Sequence, residues 1–367
     1  MSRGRVVLAM SGGVDSSVSA HLLVEAGFEV IGLFMRTGAH EESSGENETC
    51  STTSSAKKVR GCCSALDAGD AQRVADRLNL PFYALNFEQD FDRIKDYFAD
   101  EYSRGRTPNP CVVCNTWLKF GKLWDYANAI GADYIATGHY AKIVSGPRGA
   151  ELHRGDDPAK DQSYFLFGLQ AHLLSRILFP IGGMVKGEVR ELAESLGMGL
   201  ARKPDSQEIC FVPSGDYQDF LRKYRPESIG EPGPIVDAQG KQLGIHQGLS
   251  RYTIGQRKGL GIAVGEPRYV VSLEPEENRV VIGTAELLQR DSLDAERTNW
   301  LIDPPTEPIR CEVKIRYLHR AAGATVEIPE SGLARVQFDE PQSAVTPGQA
   351  VVFYRDSQVL GGGWIAG

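Results

Sequence analysis

One short run constrains this chain more than any other: Ala9-Met10-Ser11-Gly12-Gly13-Val14-Asp15-Ser16-Ser17, set between an apolar segment (6–9) and a helix-patterned one (16–26). Adjacent glycines let backbone N–H groups turn inward and approach an anion closely. Ser11, Ser16 and Ser17 add hydroxyl donors, and the start of the helix adds its dipole. Asp15 is placed to hold the Mg2+ that a polyphosphate carries. The Gly-Lys-Ser/Thr ending of a Walker loop is missing, so the phosphate loop is of another kind.

The strand–loop–helix alternation continues. Residues 28–35 read as a strand, 66–78 as a helix, 81–87 as a strand and 88–104 as a helix. Residues 107–115 form a proline-containing loop, 116–130 a further helix and 134–137 a further strand. This order predicts an α/β parallel sheet, with ligands at the carboxyl ends of its strands. Residues 36–64 are rich in Ser, Glu and Thr and read as a mobile loop over the site. Residues 161–200 look helical. Beyond about residue 212 Gly and Pro become frequent, and alternating runs at 269–273 and 279–282 flank a turn at Pro275-Glu276-Glu277-Asn278. The expected domains are 1–212 (nucleotide-binding and catalytic), 213–284 (small and central) and 285–367 (β-barrel-like). A length of 367 residues suits two or three domains.

No run of 18 apolar residues is present, and the N-terminus lacks a secretory pattern, so a cytoplasmic location is expected. The net charge of -8 does not exclude a nucleic-acid partner, because such binding depends on a local basic patch. Seven cysteines, an odd number, argue against a disulfide scaffold and for thiols used in chemistry or metal binding.

Three of those thiols lie in proline-bounded motifs. Cys111 and Cys114 sit in Thr107-Pro108-Asn109-Pro110-Cys111-Val112-Val113-Cys114-Asn115, and Cys210 in Lys203-Pro204-Asp205-Ser206-Gln207-Glu208-Ile209-Cys210. The CxxC spacing suits one metal, a cluster or a redox pair. Structural zinc is its plainest explanation, but zinc wants four ligands and these motifs supply three. Cys311 reads as a small buried hydrophobe, and Cys50, Cys62 and Cys63 are without an assigned role.

Together these motifs resemble the bacterial tRNA-specific 2-thiouridylase family of PP-loop ATP pyrophosphatases. The likeness spans nearly the whole chain. It includes Ala136-Thr137-Gly138-His139-Tyr140, Lys160-Asp161-Gln162-Ser163-Tyr164-Phe165-Leu166 and Gly255-Gln256-Arg257-Lys258-Gly259-Leu260-Gly261. Arg316-Tyr317 and Val345-Thr346-Pro347-Gly348-Gln349 belong to it too. The resemblance implies a Rossmann-like PP-loop domain, then a small central domain and a C-terminal β-barrel-like one. It implies that Ala9, Met10, Ser11, Gly12, Gly13, Val14, Asp15, Ser16, Met35 and Gly138 contact ATP. Asn109, Pro110 and Cys111 would surround the target base, and His139, Lys160, Asp161, Gln162, Arg316, Tyr317 and Gln349 would touch tRNA. Read from the residues alone, His139 serves equally as a structural histidine, and Arg257, Lys258 and Arg316 as either solvated or phosphate-bound cations.

The implied reaction adenylates O2 of the wobble uridine in tRNAs for Lys, Glu and Gln and then installs sulfur. Cys114 would be the nucleophile and Cys210 the persulfide carrier, loaded by a cysteine desulfurase or a sulfur carrier, with free sulfide the donor only if the cysteines hold a cluster. One departure stands out: Cys111 occupies a position that is aspartate in the best-known branch. Three cysteines can instead hold a [4Fe-4S] cluster with one iron open to sulfide. Other PP-loop chemistries fit less well. Position 2 is Ser2, with no glutaminase cysteine, and a lysidine-type ligase would not need three such thiols. A purely RNA-binding protein would have no use for the phosphate loop.

Overall fold

The computed structural model describes residues 2–38, 65–204, 209–212, 215–262 and 265–367. The loop expected at 36–64, with Cys50, Cys62 and Cys63, lies almost wholly outside the described residues, as do residues 205–208 of the Cys210 motif. The chain divides into two compact units. One contains residues 1–93, 114–163 and 172–216, the other 94–113, 164–171 and 217–367.

The first unit begins with β1 (Arg5–Ala9), α1 (Val14–Glu25), β2 (Glu29–Arg36), α2 (Ala65–Arg77) and β3 (Phe82–Asn86). Helix α3 (Glu88–Ser103) starts in this unit but lies mostly in the second, as does the helical turn α4 (Pro110–Val113), and the first unit resumes with a π-helical stretch (Cys114–Lys122). After these come α5 (Leu123–Ala129), β4 (Tyr134–Ala136), the hairpin β5 (Ala141–Gly146) and β6 (Gly149–Arg154), β7 (Ile177–Leu178) and α6 (Lys186–Ser195). Strands β3-β2-β1-β4-β7 form an all-parallel sheet in that order. Val6, Val7 and Leu8 in central β1 are fully buried, as a strand covered on both faces requires. Helix α1 buries Val14, Val18, Ala20 and Leu23 in a core shared with α2, α6 and the sheet. Gly27, with φ +84, then turns the chain in the left-handed conformation that ends a helix.

Two expectations for this part of the chain need correction. Residues 161–200 are not broadly helical. They carry two short 3-10 turns (Ser163–Leu166 and Ala171–Arg176), strand β7, and a single α-helix, α6. Pro180 cannot continue a helix, and Gly182 packs so closely that a Cβ there would come 1.8 Å from the Ala141 carbonyl oxygen. Residues 107–115 are not simply loop either. Asn109 Oδ1 accepts from Val112 N–H at 3.4 Å, so Asn109 caps a turn whose first residue is Pro110.

The second unit contains α7 (Tyr217–Tyr224) and strands β8 (Gly233–Asp237), β9 (Gln242–His246), β10 (Tyr269–Glu274) and β11 (Arg279–Gly283), ordered β10-β11-β8-β9. The expected hairpin is β10–β11, antiparallel, with Asn278 at φ +48 in its turn. Six further strands follow: β12 (Gln289–Trp300), β13 (Ile309–Lys314), β14 (Ala322–Glu327), β15 (Leu333–Ser343), β16 (Ala350–Arg355) and β17 (Gln358–Ile365). They pair antiparallel as β12-β15-β14-β13-β16-β17, and β12 pairs with β17 to close a barrel. Val313, Val326, Val336, Val351, Phe353 and Leu360 fill its core. Closure removes sheet edges that would otherwise invite association. Among the described residues, no helix is long and apolar enough to cross a membrane.

Candidate functional site

Sheet order locates the first site. From β1 the chain runs outward through β2 to β3, while β4 pairs on the other side of β1. The crevice between the carboxyl ends of β1 and β4 is the topological switch point, where open α/β sheets bind ligands. Residues 10–13 leave β1 there and Gly138 follows β4 there. A Cβ on Gly138 would lie 2.9 Å from Ser16 N, so the two connections touch. Gly12 adopts φ +70, and a Cβ on it would come 2.1 Å from the Asp67 carbonyl oxygen. Gly13 is the N-cap of α1 and supplies no side-chain cap, leaving the first turn's donors to a ligand. Ser16 Oγ accepts from Ser11 N–H at 3.2 Å and donates to Gly13 O at 3.2 Å, which fixes the loop from within. Ala9 ends β1, Met10 and Val14 are buried, Ser11 is exposed, and Met35 lies half-buried near the end of β2.

Asp15 ties the loop to residues distant in the chain. Its Oδ1 accepts from Tyr140 Oη–H at 2.8 Å and from Lys186 Nζ at 2.8 Å, and its Oδ2 accepts from Lys186 at 2.9 Å. A second ammonium, Lys203, donates to Gly12 O at 2.7 Å, Asp67 Oδ1 at 2.6 Å and Asp70 Oδ2 at 2.7 Å. Burial pulls the Lys203 pKa down, but its bonds to Asp67 and Asp70 outweigh that and hold it above the ordinary lysine value. Sequence reasoning assigned no role to Tyr140, Lys186, Lys203, Asp67 or Asp70. Lys186 stands 171 positions from Asp15, and no local pattern marks it.

Gln162 and Asp161 turn out to brace this unit. Tyr140 N–H donates to Gln162 Oε1 at 3.0 Å, and Gln162 N–H donates to Tyr140 O at 2.8 Å. Asp161 is buried and accepts from Gly155 N–H, Ser163 N–H and Ser163 Oγ–H at 3.0–3.1 Å. Lys160 is half-buried beside them. His139 is buried, with Nδ1 2.6 Å from Thr137 Oγ1 and Nε2 3.5 Å from Lys119 Nζ. Burial, reinforced by the Lys119 charge, pushes its pKa well below the usual histidine value, so the ring is neutral near pH 7.

Cys114 begins the π-helical stretch, a rare geometry that concentrates at functional positions. Cys114 and Cys210 are half-buried, Cys111 is exposed and Cys311 is buried in the barrel. Burial pushes the Cys311 thiol up to about 12, which makes it inert. Among the described residues, no three His, Cys, Asp or Glu side chains are gathered to hold a metal ion.

In the second unit, Gln349 Nε2 donates to Thr107 O and Pro108 O, both at 3.1 Å, and so clamps the segment leading into Cys111. Asn109 and Pro110 are buried there, with Asn109 N–H donating to Tyr97 Oη at 3.4 Å. Arg316 donates to Ser343 O at 3.1 Å, and its pKa is lowered by burial against a smaller opposing effect of Tyr164. Tyr317 packs on Phe165 with ring centroids 4.6 Å apart, and the neighbouring Leu318 is 91% exposed.

Comparison with known proteins adds to this geometry. Residues 4–214 match the family described as a tRNA methyl transferase HUP domain, and 218–284 its PRC-barrel domain. Residues 290–365 match an aminomethyltransferase beta-barrel domain. The tRNA-specific 2-thiouridylase MnmA of Rhodopirellula baltica is 48% identical over 98% of this chain and 96% of its own length. The protein of that name from Geobacter metallireducens is 50% identical over 99% and 97%. That from Carboxydothermus hydrogenoformans is 48% identical over 100% and 98%.

Proposed function

The chain belongs to the tRNA-specific 2-thiouridylase family, and on that premise we propose that it replaces O2 of the wobble uridine of tRNA with sulfur at the expense of ATP. The products are 2-thiouridine, AMP and pyrophosphate, and the substrates are tRNAs for Lys, Glu and Gln. The observation that carries the reading is one unit holding an uncapped phosphate loop together with two half-buried thiols, Cys114 and Cys210. The matched family description speaks of methyl transfer, but a methyl group delivered from a sulfonium donor needs no pyrophosphate loop.

The loop fits Mg·ATP. Gly12 and Gly138 leave no room for a side chain, the first turn of α1 offers N–H donors, and Asp15 offers a carboxylate. Mg2+ would be held by Asp15 and would offset charge on the polyphosphate. Ser11, Ser16 and the α1 N-terminus bind the departing pyrophosphate while AMP is placed on O2 of the uracil. This step is needed because the urea-like carbonyl oxygen is a poor leaving group. The Cys210 persulfide then attacks C2 and AMP departs, leaving uridine joined to Cys210 through two sulfurs. The Cys114 thiolate attacks the Cys210 sulfur, releasing 2-thiouridine and forming a Cys114–Cys210 disulfide. An external dithiol reduces that disulfide, and a cysteine desulfurase or sulfur carrier reloads Cys210.

Asn109, Pro110 and Cys111 are proposed to surround the extruded base, which is cheap to unstack in an anticodon loop. Lys160, Asp161, Gln162, His139, Arg316, Tyr317 and Gln349 are proposed to face tRNA, directly or by shaping the surface that does. Domain bounds of 1–212, 213–284 and 285–367 are proposed as well, and the matched ranges 4–214, 218–284 and 290–365 support them.

The CxxC spacing favours a second route, in which Cys111, Cys114 and Cys210 ligate a [4Fe-4S] cluster and sulfide is the donor. Among the described residues, no three His, Cys, Asp or Glu side chains form a ready-made metal-ligand set. Anaerobic purification with iron and sulfide determination, in wild type and Cys111→Ser, decides between the routes. Nucleoside mass spectrometry after incubation with Mg·ATP, unmodified tRNA and a persulfide donor tests the activity. Thiolation surviving in both Cys114→Ser and Cys210→Ser would remove both routes.

A further inference from the structure

We propose that Tyr140 is a positioning residue for the nucleotide's metal ion. Gln162 holds its backbone, and its hydroxyl holds Asp15 Oδ1 so that Oδ2 can pass from the Lys186 ammonium to the cation of Mg·ATP. This deepens the reading of the phosphate loop as an ATP site and rests on it. The geometry has three parts. Tyr140 is buried, and both of its backbone polar groups are bonded to Gln162. Its hydroxyl reaches Asp15 Oδ1 at 2.8 Å across 125 positions of sequence. Lys186, 9% exposed, bonds both Asp15 oxygens at 2.8 and 2.9 Å and lies over the Tyr140 ring at 5.7 Å.

A carboxylate on the first turn of α1, beside the uncapped N–H groups, would offer a ligand to the cation of a polyphosphate bound there. In this structure an ammonium occupies that side of Asp15. A divalent cation carries twice the charge of the ammonium, so Asp15 Oδ2 would hold it in place of Lys186, which would then offer its ammonium to the phosphates. The exchange works only if the carboxylate stays put when Lys186 leaves. Tyr140 supplies that constraint through its hydroxyl bond to Oδ1. Gln162 matters through Tyr140, as it fixes the backbone from which the hydroxyl projects. Gln162 is therefore linked to the phosphate loop through Tyr140.

The test compares binding of a non-hydrolysable ATP analogue to the full chain in excess Mg2+ and in EDTA, by calorimetry, for wild type, Tyr140→Phe and Gln162→Ala. Tyr140→Phe removes one oxygen atom, and circular dichroism checks that each variant is folded. The expected result is a loss of the Mg2+-dependent gain in affinity on the order of tenfold, the scale of one hydrogen bond to a charged group. Affinity in EDTA should change less than about twofold. A residue that merely supports the fold would shift both affinities together, and that result overturns the proposal. So does an unchanged Mg2+ gain in both variants, or a wild type that binds equally well in both conditions. A wild type that binds the analogue in neither condition removes the ATP reading itself, and the proposal with it.

Discussion

Two adjacent glycines in the phosphate loop are expected to respond very differently to the same substitution. Gly12 has φ +70, and a Cβ on it would meet the Asp67 carbonyl oxygen at 2.1 Å, its carbon at 2.8 Å and its Cα at 2.9 Å. Each of these atoms is backbone near the start of α2 and cannot rotate away. Gly13 is extended (φ -94, ψ 167), and its nearest neighbour would be the Ser11 hydroxyl at 3.4 Å, an ordinary contact. For Gly12→Ala the left-handed backbone costs about 1–2 kcal/mol and the overlap about 1–3 kcal/mol. Relief comes from opening the first turns of α2, at an expected total of about 3 kcal/mol, or roughly 10²-fold in the opening equilibrium. Native-state hydrogen exchange read by mass spectrometry reports that equilibrium locally, which suits a chain of two units where a single unfolding free energy is ill-defined. Gly12→Ala should speed exchange of α2 amides by about two orders of magnitude. Gly13→Ala should leave them unchanged. Equal protection in the two variants, in either direction, would refute the reasoning.

Further outcomes follow from the same geometry. Gln349→Ala removes two bonds to the segment before Cys111, worth about 1–2 kcal/mol together. Single-turnover thiolation should slow about tenfold while ATP-analogue affinity holds, and equal loss of both would count against a local clamp. His139 is kept neutral by burial and then by Lys119, whereas the unfolded chain protonates it near 6.5. Its contribution to stability is therefore complete above about pH 6.5 and lost as pH falls, so His139→Gln should flatten the decline of Tm between about pH 6.5 and 5. A variant as acid-labile as wild type would contradict this. With its thiol pushed up to about 12 by burial, Cys311 should resist iodoacetamide at pH 9 while exposed Cys111 is alkylated, as peptide mass spectrometry would reveal. Comparable rates at the two cysteines would refute that assignment.

The readable parts of this protein are those whose causes lie close together in the chain. The phosphate loop follows from nine contiguous residues, because glycine freedom, hydroxyl donors and a helix start act over a few positions. The β10–β11 hairpin was legible for the same reason, since Pro275 to Asn278 set the turn and alternation set the strands. The parallel sheet and the barrel texture came from periodicity, which is also local. The short strand β7 and the β5–β6 hairpin were not legible. Two residues carry no period, and Ala141–Gly146 and Gly149–Arg154 do not alternate cleanly in burial. The π-helical stretch at Cys114 hides inside what reads as an ordinary helix.

Among the site residues, the sequence by itself determined that a glycine-containing loop with hydroxyl donors would lead into a helix at Ser11 to Ser16, that thiols would stand at 111, 114 and 210, and what chemistry such groups permit. Only the tertiary structure decided that Lys186, Tyr140 and Asp15 share one hydrogen-bonded cluster, and that Lys203 meets Gly12, Asp67 and Asp70. The reason is physical. A backbone turn is set by steric and hydrogen-bonding terms within a few residues. The partner of a buried charge is set by which strands lie side by side, and here that order brings together residues 125 to 191 positions apart.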